Sequence, residues 1–293
     1  MPPRITPLTD PEPAASSRRL AWLASDTEGA PLGSAFVRLF TDEGRHHLAE
    51  LEIAVHRAER RHGVGGALLD AATAAARADG RRSLVAQATT GSPGDLFLAA
   101  RGFSRVLALT YARLPLPDLD LAQIYRIAER PHPGYELTHW DGVVPSALAA
   151  GFALSRRAMD DMPMEETDHG TVVWDVDRVV AVAEVVLKRG EALHTVAVLD
   201  RSDGSVVGFS ELVVPGDGRG DAQHYGTGVL PEHRGHGLGL WMKAESIRLA
   251  RERYPELTGL LTDTADSNAP MLAINDALGY RPTHRAVEYQ RVL

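Results

Sequence analysis

Apolar and polar positions alternate along residues 18–26 and 31–40, two strand patterns joined by the turn signal Thr27-Glu28-Gly29, and again along 46–55. An Ala-rich stretch from Gly63 to about Ala78 follows with helical periodicity and stops at Asp79-Gly80, a C-terminal glycine signal. A strand at 83–88, a short helix at 95–100 and a strand at 106–114 complete this half, and Pro115-Leu116-Pro117 breaks the pattern. The second half predicts a strand at 135–140, helices at 144–159 and 176–189, and strands at 194–199, 206–214 and 222–230. Next comes a helix in which Leu240, Ala244 and Ile247 share one apolar stripe, then a strand at 257–262, a helix at 269–278 and a strand at 285–292. Two α/β (α+β) domains result, 1–116 and 117–293, a count that 293 residues also favour.

One signature occurs in both halves at the junction of a strand and a helix. The first copy runs Arg60-Arg61-His62-Gly63-Val64-Gly65-Gly66 and the second Arg234-Gly235-His236-Gly237-Leu238-Gly239. Each half later ends a helix on Gly-aromatic, Gly102-Phe103 and Gly279-Tyr280, so the chain is read as an internal duplication. Glycines in such a loop let backbone N–H groups approach a ligand closely, and the helix N-terminus favours negative charge by about 0.3–1 kcal/mol per interaction. A diphosphate fits this loop.

The absence of cysteine excludes disulfides, thiolate metal sites and a cysteine nucleophile, so group transfer must proceed by direct attack. A net charge of −8 speaks against nucleic acid as a partner. No run approaches eighteen apolar residues, and the start MPPRITPLTD lacks the basic and apolar regions of a signal peptide, so a cytoplasmic protein with no membrane partner is expected. His224, His233 and His236 do not complete a convincing ligand set, and no metal is expected.

The two loops resemble the Q/R-x-x-G-x-G/A motif of the GNAT family of acyl-CoA-dependent N-acyltransferases. Asn268, Met271, Asn275 and Leu278-Gly279-Tyr280 are similar to the family's later helix pattern, N-x-x-M-x-x-x-N-x-x-L-G-F/Y. The resemblance covers nearly the whole chain. It implies two tandem GNAT-like domains, each a mixed, mainly antiparallel sheet flanked by helices, with acetyl-CoA as cosubstrate. It also implies pyrophosphate binding by Arg234, Gly235, His236, Gly237, Leu238 and Gly239, and by Arg60, Gly63, Gly65 and Gly66 in the first copy. Asn268 is placed along the pantetheine arm, and Asn275 is counted among the cofactor-binding residues.

The halves are not equivalent. The first has no room before residue 18 for the strand and helix pair that walls the family's acceptor pocket, and Gly91, Gly94 and Leu98 stand where the second has Asn268, Met271 and Asn275. It is read as degenerate, and 117–293 as catalytic. Gly226 and Gly228 suggest a bulge that frees the N–H of Val229 or Leu230 as an oxyanion donor. His224, Tyr225 and Glu211 are the candidate bases. The family often places a tyrosine acid four residues before the helix-ending glycine, but here that residue is Asn275, which leaves Tyr225, Tyr280 or water. The expected function is acetyl transfer to a primary amine of a small acceptor by a monomer or homodimer. A cationic acceptor would be drawn by the acidic stretch Asp160, Asp161, Glu165, Glu166 and Asp168. The alternative is a noncatalytic acyl-CoA-binding regulator.

Overall fold

The computed structural model describes residues 2–9, 17–160, 162–163, 165–170 and 172–293. In chain order the elements are β1 (Arg4–Leu8), β2 (Ser17–Ser25), β3 (Pro31–Phe40), β4 (Leu48–Val55), α1 (Val64–Ala78), β5 (Ser83–Thr89), α2 (Pro93–Ala100) and β6 (Ser104–Pro115). There follow α3 (Leu121–Ala128), β7 (Tyr135–Asp141), α4 (Ser146–Ser155), α5 (Val176–Lys188), β8 (Ala192–Asp200) and β9 (Val206–Val214). The chain ends with β10 (Gly220–Val229), α6 (Leu238–Arg253), β11 (Leu257–Ala265), α7 (Ala269–Ala277) and β12 (Arg281–Val292). They form two compact units: Met1–Ala108, Met164–Val173 and Arg285–Leu293 in the first, Leu109–Pro163 and Trp174–His284 in the second.

In the first unit the strands run in the order β1-β2-β3-β4-β5-β12, with only β4 and β5 parallel. Alternation along β3 buries Ala35, Val37 and Leu39 on one face, where α1 adds Leu68, Leu69 and Ala72. Fully burying a leucine there contributes about 1.5–3 kcal/mol. The opposite face keeps Phe36, Arg38, Glu50 and Glu52 exposed. A strand that the sequence reading had no room for, β1, pairs with β2 from Arg4↔Ser25 to Leu8↔Ala21. Ala286–Val292 of the chain's final strand pairs with β5, and the Tyr289 hydroxyl donates to the buried Asp95 carboxylate.

In the second unit the order is β6-β11-β10-β9-β8-β7, and β10 with β11 is the parallel pair. All nine residues of β9 are buried because both of its faces are covered. On one side Ala244, Ile247 and Ala250 of α6 pack with Leu212, Val214 and Ala222. On the other, Phe152 and Ala153 of α4 pack with Val206 and Phe209. The predicted helix at 144–159 is α4 followed by a 3-10 turn, Arg156–Met159. No helix among the described residues is long and apolar enough to cross a membrane.

Candidate functional site

The two signature loops share one backbone course. The second position is left-handed in both, Arg61 at φ 68° and Gly235 at 81°, and so is the fourth, Gly63 at 87° and Gly237 at 75°. Each loop arginine clamps its own strand: Arg60 Nε donates to the Val55 carbonyl at 3.3 Å and Arg234 Nε to the Val229 carbonyl at 2.9 Å. Arg234 also reaches the Ala158 carbonyl. The arginines therefore fix the turn, and anion binding falls to the backbone. No side chain among the described residues caps Gly63 or Gly237, so the opening N–H groups of α1 and α6 are left for a ligand. His236 Nδ1 lies 3.2 Å from the His233 carbonyl, and Leu238 and Gly239 are buried where α6 begins.

Both parallel ladders are short. β4 pairs with β5 only from Leu48↔Ser83 to Leu51↔Ala86, and β10 with β11 only from Gly220↔Leu257 to Gln223↔Leu261. Beyond these points neither pair of strands continues its ladder toward the loop. A register shift between His224 and Gly226 makes Tyr225 the bulged residue. The Leu230 N–H donates to the Val207 carbonyl at 2.9 Å, which removes Leu230 as a free donor. Alternation in the antiparallel ladder then turns the main chain of Val229 away from β9, to the side where the pairing with β11 has ended.

Gly226 and Gly228 also have a packing reason. The turn at Arg156–Met159 lies against them, and a Cβ on Gly228 would come within 3.0 Å of Ala158 Cβ and 3.2 Å of Met159 Sδ.

The candidate acid–base residues do not converge on one point. Glu211 is buried and accepts from Arg156 Nη2 at 2.5 Å, while the guanidinium lies over Phe152, Phe209 and Trp174 at 4.4–4.8 Å from their ring centroids. Tyr225 is exposed and its hydroxyl accepts from Arg189. Asn268 caps α7, its side-chain oxygen accepting from the Met271 N–H.

His224, Tyr280 and Asn275 do meet, around a residue the sequence reading passed over. Lys243 of α6 is buried, donates to Asn275 Oδ1 at 2.6 Å and lies 4.7 Å from the centroid of the Tyr280 ring. Asn275 in turn donates to Thr264 Oγ1 of β11 at 3.1 Å. Neither ring nitrogen of His224 nor the Tyr280 hydroxyl finds a hydrogen-bond partner among the described residues.

Burial sets the protonation of this cluster. It holds His224 well below the ordinary imidazole value, with the Lys243 charge adding to the effect, and it pushes the Tyr280 hydroxyl up. The same burial pulls Lys243 down to about 7. Of the three, only Lys243 can both hold and release a proton near neutrality.

The acidic stretch is divided between the units, Asp160 in the second and Glu165, Glu166 and Asp168 in the first. Met164–Val173 belongs to the first unit, where Asp168 engages His47 at 2.9 Å and Ser83 at 3.2 Å. Asp168 is thus already committed within that unit, and Asp161 lies outside the described residues. The first unit also contains a cleft of about 1740 Å³ that reaches from Arg60, Gly63, Gly65 and Gly66 along the exposed face of β3 and β4.

The profile of the acetyltransferase (GNAT) family matches residues 4–103 and 152–280. The mycothiol acetyltransferase of Clavibacter michiganensis subsp. michiganensis is 30% identical over 277 residues, 90% of this chain and 78% of the relative. That of Thermobifida fusca is 27% identical over 293 residues, 93% of this chain and 82% of the relative. A solved tandem GNAT protein from the clavulanic acid biosynthesis pathway has the same fold, with a TM-score of 0.78 at 24% identity over 96% of this chain and 84% of that one. The duplicated loop, the paired short ladders and these matches agree, and the chain belongs to the acetyltransferase (GNAT) family of acyl-CoA-dependent acetyltransferases.

Proposed function

We propose that the protein transfers an acetyl group from acetyl-CoA to the primary amine of a small acceptor, and that the second unit carries the reaction. The observation that carries this reading is the end of the β10–β11 ladder at Gln223, followed at once by His224 of the Lys243 cluster and, in the loop beyond, by the uncapped N-terminus of α6. The loop N–H groups from Gly237 onward receive the diphosphate, and the Val229 N–H polarises the thioester carbonyl. As the amine attacks, the C–N bond forms and the C–S bond breaks. Lys243 supplies the proton that the leaving sulfur takes up, in place of the tyrosine that Asn275 replaces, and the proton lost by the attacking nitrogen restores Lys243 by way of solvent. The mycothiol acetyltransferase relatives support a small-molecule acceptor. Asp168 is engaged with His47, so recruitment of a cationic acceptor would rest on the other acids of the stretch.

The buried Arg156–Glu211 pair favours a second reading, a noncatalytic acyl-CoA-binding protein, because it ties up a candidate base. Release of the CoA thiol with a panel of primary amines separates the two. Turnover with any amine supports transfer; acetyl-CoA binding by calorimetry without turnover supports the second reading. Gly237→Val should abolish binding at the second loop, and an unchanged binding isotherm would reject the loop assignment.

A further inference from the structure

We propose that the first unit is an acyl-transfer site in its own right, with His169 as the base and Glu288 as its orienting carboxylate, and that it acts on a primary amine carrying an anionic group. The inference rests on the acetyl-CoA reading above. Its starting point is the cleft of about 1740 Å³, whose walls include both the first signature loop and the pair His169 and Glu288.

The register of the sheet brings these groups to one place. The β4–β5 ladder ends at Leu51↔Ala86, so Glu52 and Gln87 are the first residues past its end, and both are exposed on the face opposite α1. Glu288 of β12 lies directly opposite Gln87. His169 Nε2 sits 3.1 Å from Glu288 Oε1, an ion-pair contact, and neither atom has a hydrogen-bond partner among the described residues. A carboxylate beside one ring nitrogen orients the imidazole and leaves Nδ1 to take a proton. The segment that carries His169 is anchored in the same unit by Asp168, through His47 and Ser83. The acidic stretch thus acquires a role as a tether.

The chemistry balances without a further reactant. The amine nitrogen bonds to the acyl carbon, the C–S bond breaks, and the proton lost by nitrogen passes to His169 Nδ1 and then to the CoA sulfur. Charge selects the acceptor. Arg19 and Arg38 are cross-strand neighbours lining the cleft; Arg38 pairs with Glu50 at 3.1 Å, whereas Arg19 has no ionic or hydrogen-bonding partner among the described residues. Two adjacent guanidiniums with one free call for a carboxylate or phosphate on the acceptor.

The test follows thiol release by the full chain from acetyl-CoA, with amines bearing a carboxylate or phosphate set against neutral amines of similar size. Turnover of the anionic amines should persist in Gly237→Val and disappear in Gly63→Val. His169→Gln should lower kcat about 100-fold, the lower end of a general base's contribution, while acceptor KM and acetyl-CoA affinity by calorimetry are unchanged. Arg19→Ala should raise the acceptor KM about tenfold with kcat intact. If Gly237→Val does not fold, Lys243→Met serves instead, because it disables the second unit without touching its loop. Loss of all turnover in that background, with acetyl-CoA still bound at the first loop, overturns the inference and leaves transfer by the second unit standing. A parent chain that acetylates no amine overturns both.

Discussion

Lys243 occupies a core position on α6, yet its ammonium bonds to the neutral Asn275 amide rather than to a carboxylate. Burial lowers its pKa from 10.5 to about 7, and the sign of the resulting pH dependence follows. Below pH 7 the amine is charged whether the chain is folded or not, and the native state bears the full cost of burying that charge. Between pH 7 and 10.5 the unfolded chain keeps a proton that the native chain has released, so stability rises with pH across this window. Lys243→Met should abolish the part of the rise above pH 7.5, where His224 is neutral in both states. Urea midpoints at pH 7.5 and pH 9 should differ in the parent, with pH 9 the higher, and draw together in the variant; equal parental midpoints would reject the shift. The same variant should lower kcat of the second unit about 100-fold with acetyl-CoA affinity retained, as loss of a general acid does. Lys243 was legible in part, since it stands at i+3 from Leu240 and i−4 from Ile247 on the apolar stripe. Its role was not, because Asn275, Thr264 and Tyr280 reach it only once β11 and α7 have folded against α6.

Among the elements, the 3-10 turn after α4 packs directly on the glycines of β10. Gly228 accommodates that turn, so Gly228→Ala should cost about 1–3 kcal/mol by overpacking against Ala158 and Met159, measured as a shift in denaturant midpoint without a change in slope. The turn is fastened to β9 by Arg156 and Glu211, side chains 7% and 6% exposed. Arg156→Met leaves a buried carboxylate without its partner and should cost about 3–5 kcal/mol, whereas adding Glu211→Met should restore most of it. A double variant no more stable than the single one would mean that Glu211 is held by something other than the guanidinium. Periodicity made nearly every strand and helix readable, β3 among them. The short elements were not: β1 is five residues long and α3 eight, and each is held by tertiary packing, α3 through Ile124 in the second core. The glycines of β10 correctly signalled a bulge, but the turn that also needs them has no mark in the local sequence.

At the scale of the molecule, chain order and unit membership diverge. Leu109–Pro115 of β6 pairs with β11 in the second unit, while Ala286–Val292 of β12 pairs with β5 in the first. Strand pairing depends on partners remote in sequence, and neither β6 nor β12 carries a local signal for the sheet it joins. The consequence is testable by truncation. Removing Arg285–Leu293 exposes the edge of β5, strips Val287 and Tyr289 from the first core and leaves the buried Asp95 without the Tyr289 hydroxyl. Each lost core side chain contributes about 1.5–3 kcal/mol, and a domain's whole stability is only about 5–15 kcal/mol, so the first unit should not survive the loss of this strand. A fragment of residues 1–116 lacks the same strand and also lacks His169, so it should show no cooperative thermal transition. Supplying residues 280–293 on a flexible linker after residue 116 should restore the transition, because the missing strand is then available to β5. Calorimetry of the three chains decides the matter: a cooperative melt in the unextended fragment would show that β12 is dispensable to the first unit, and failure of the extended fragment to fold would show that the strand alone does not complete it.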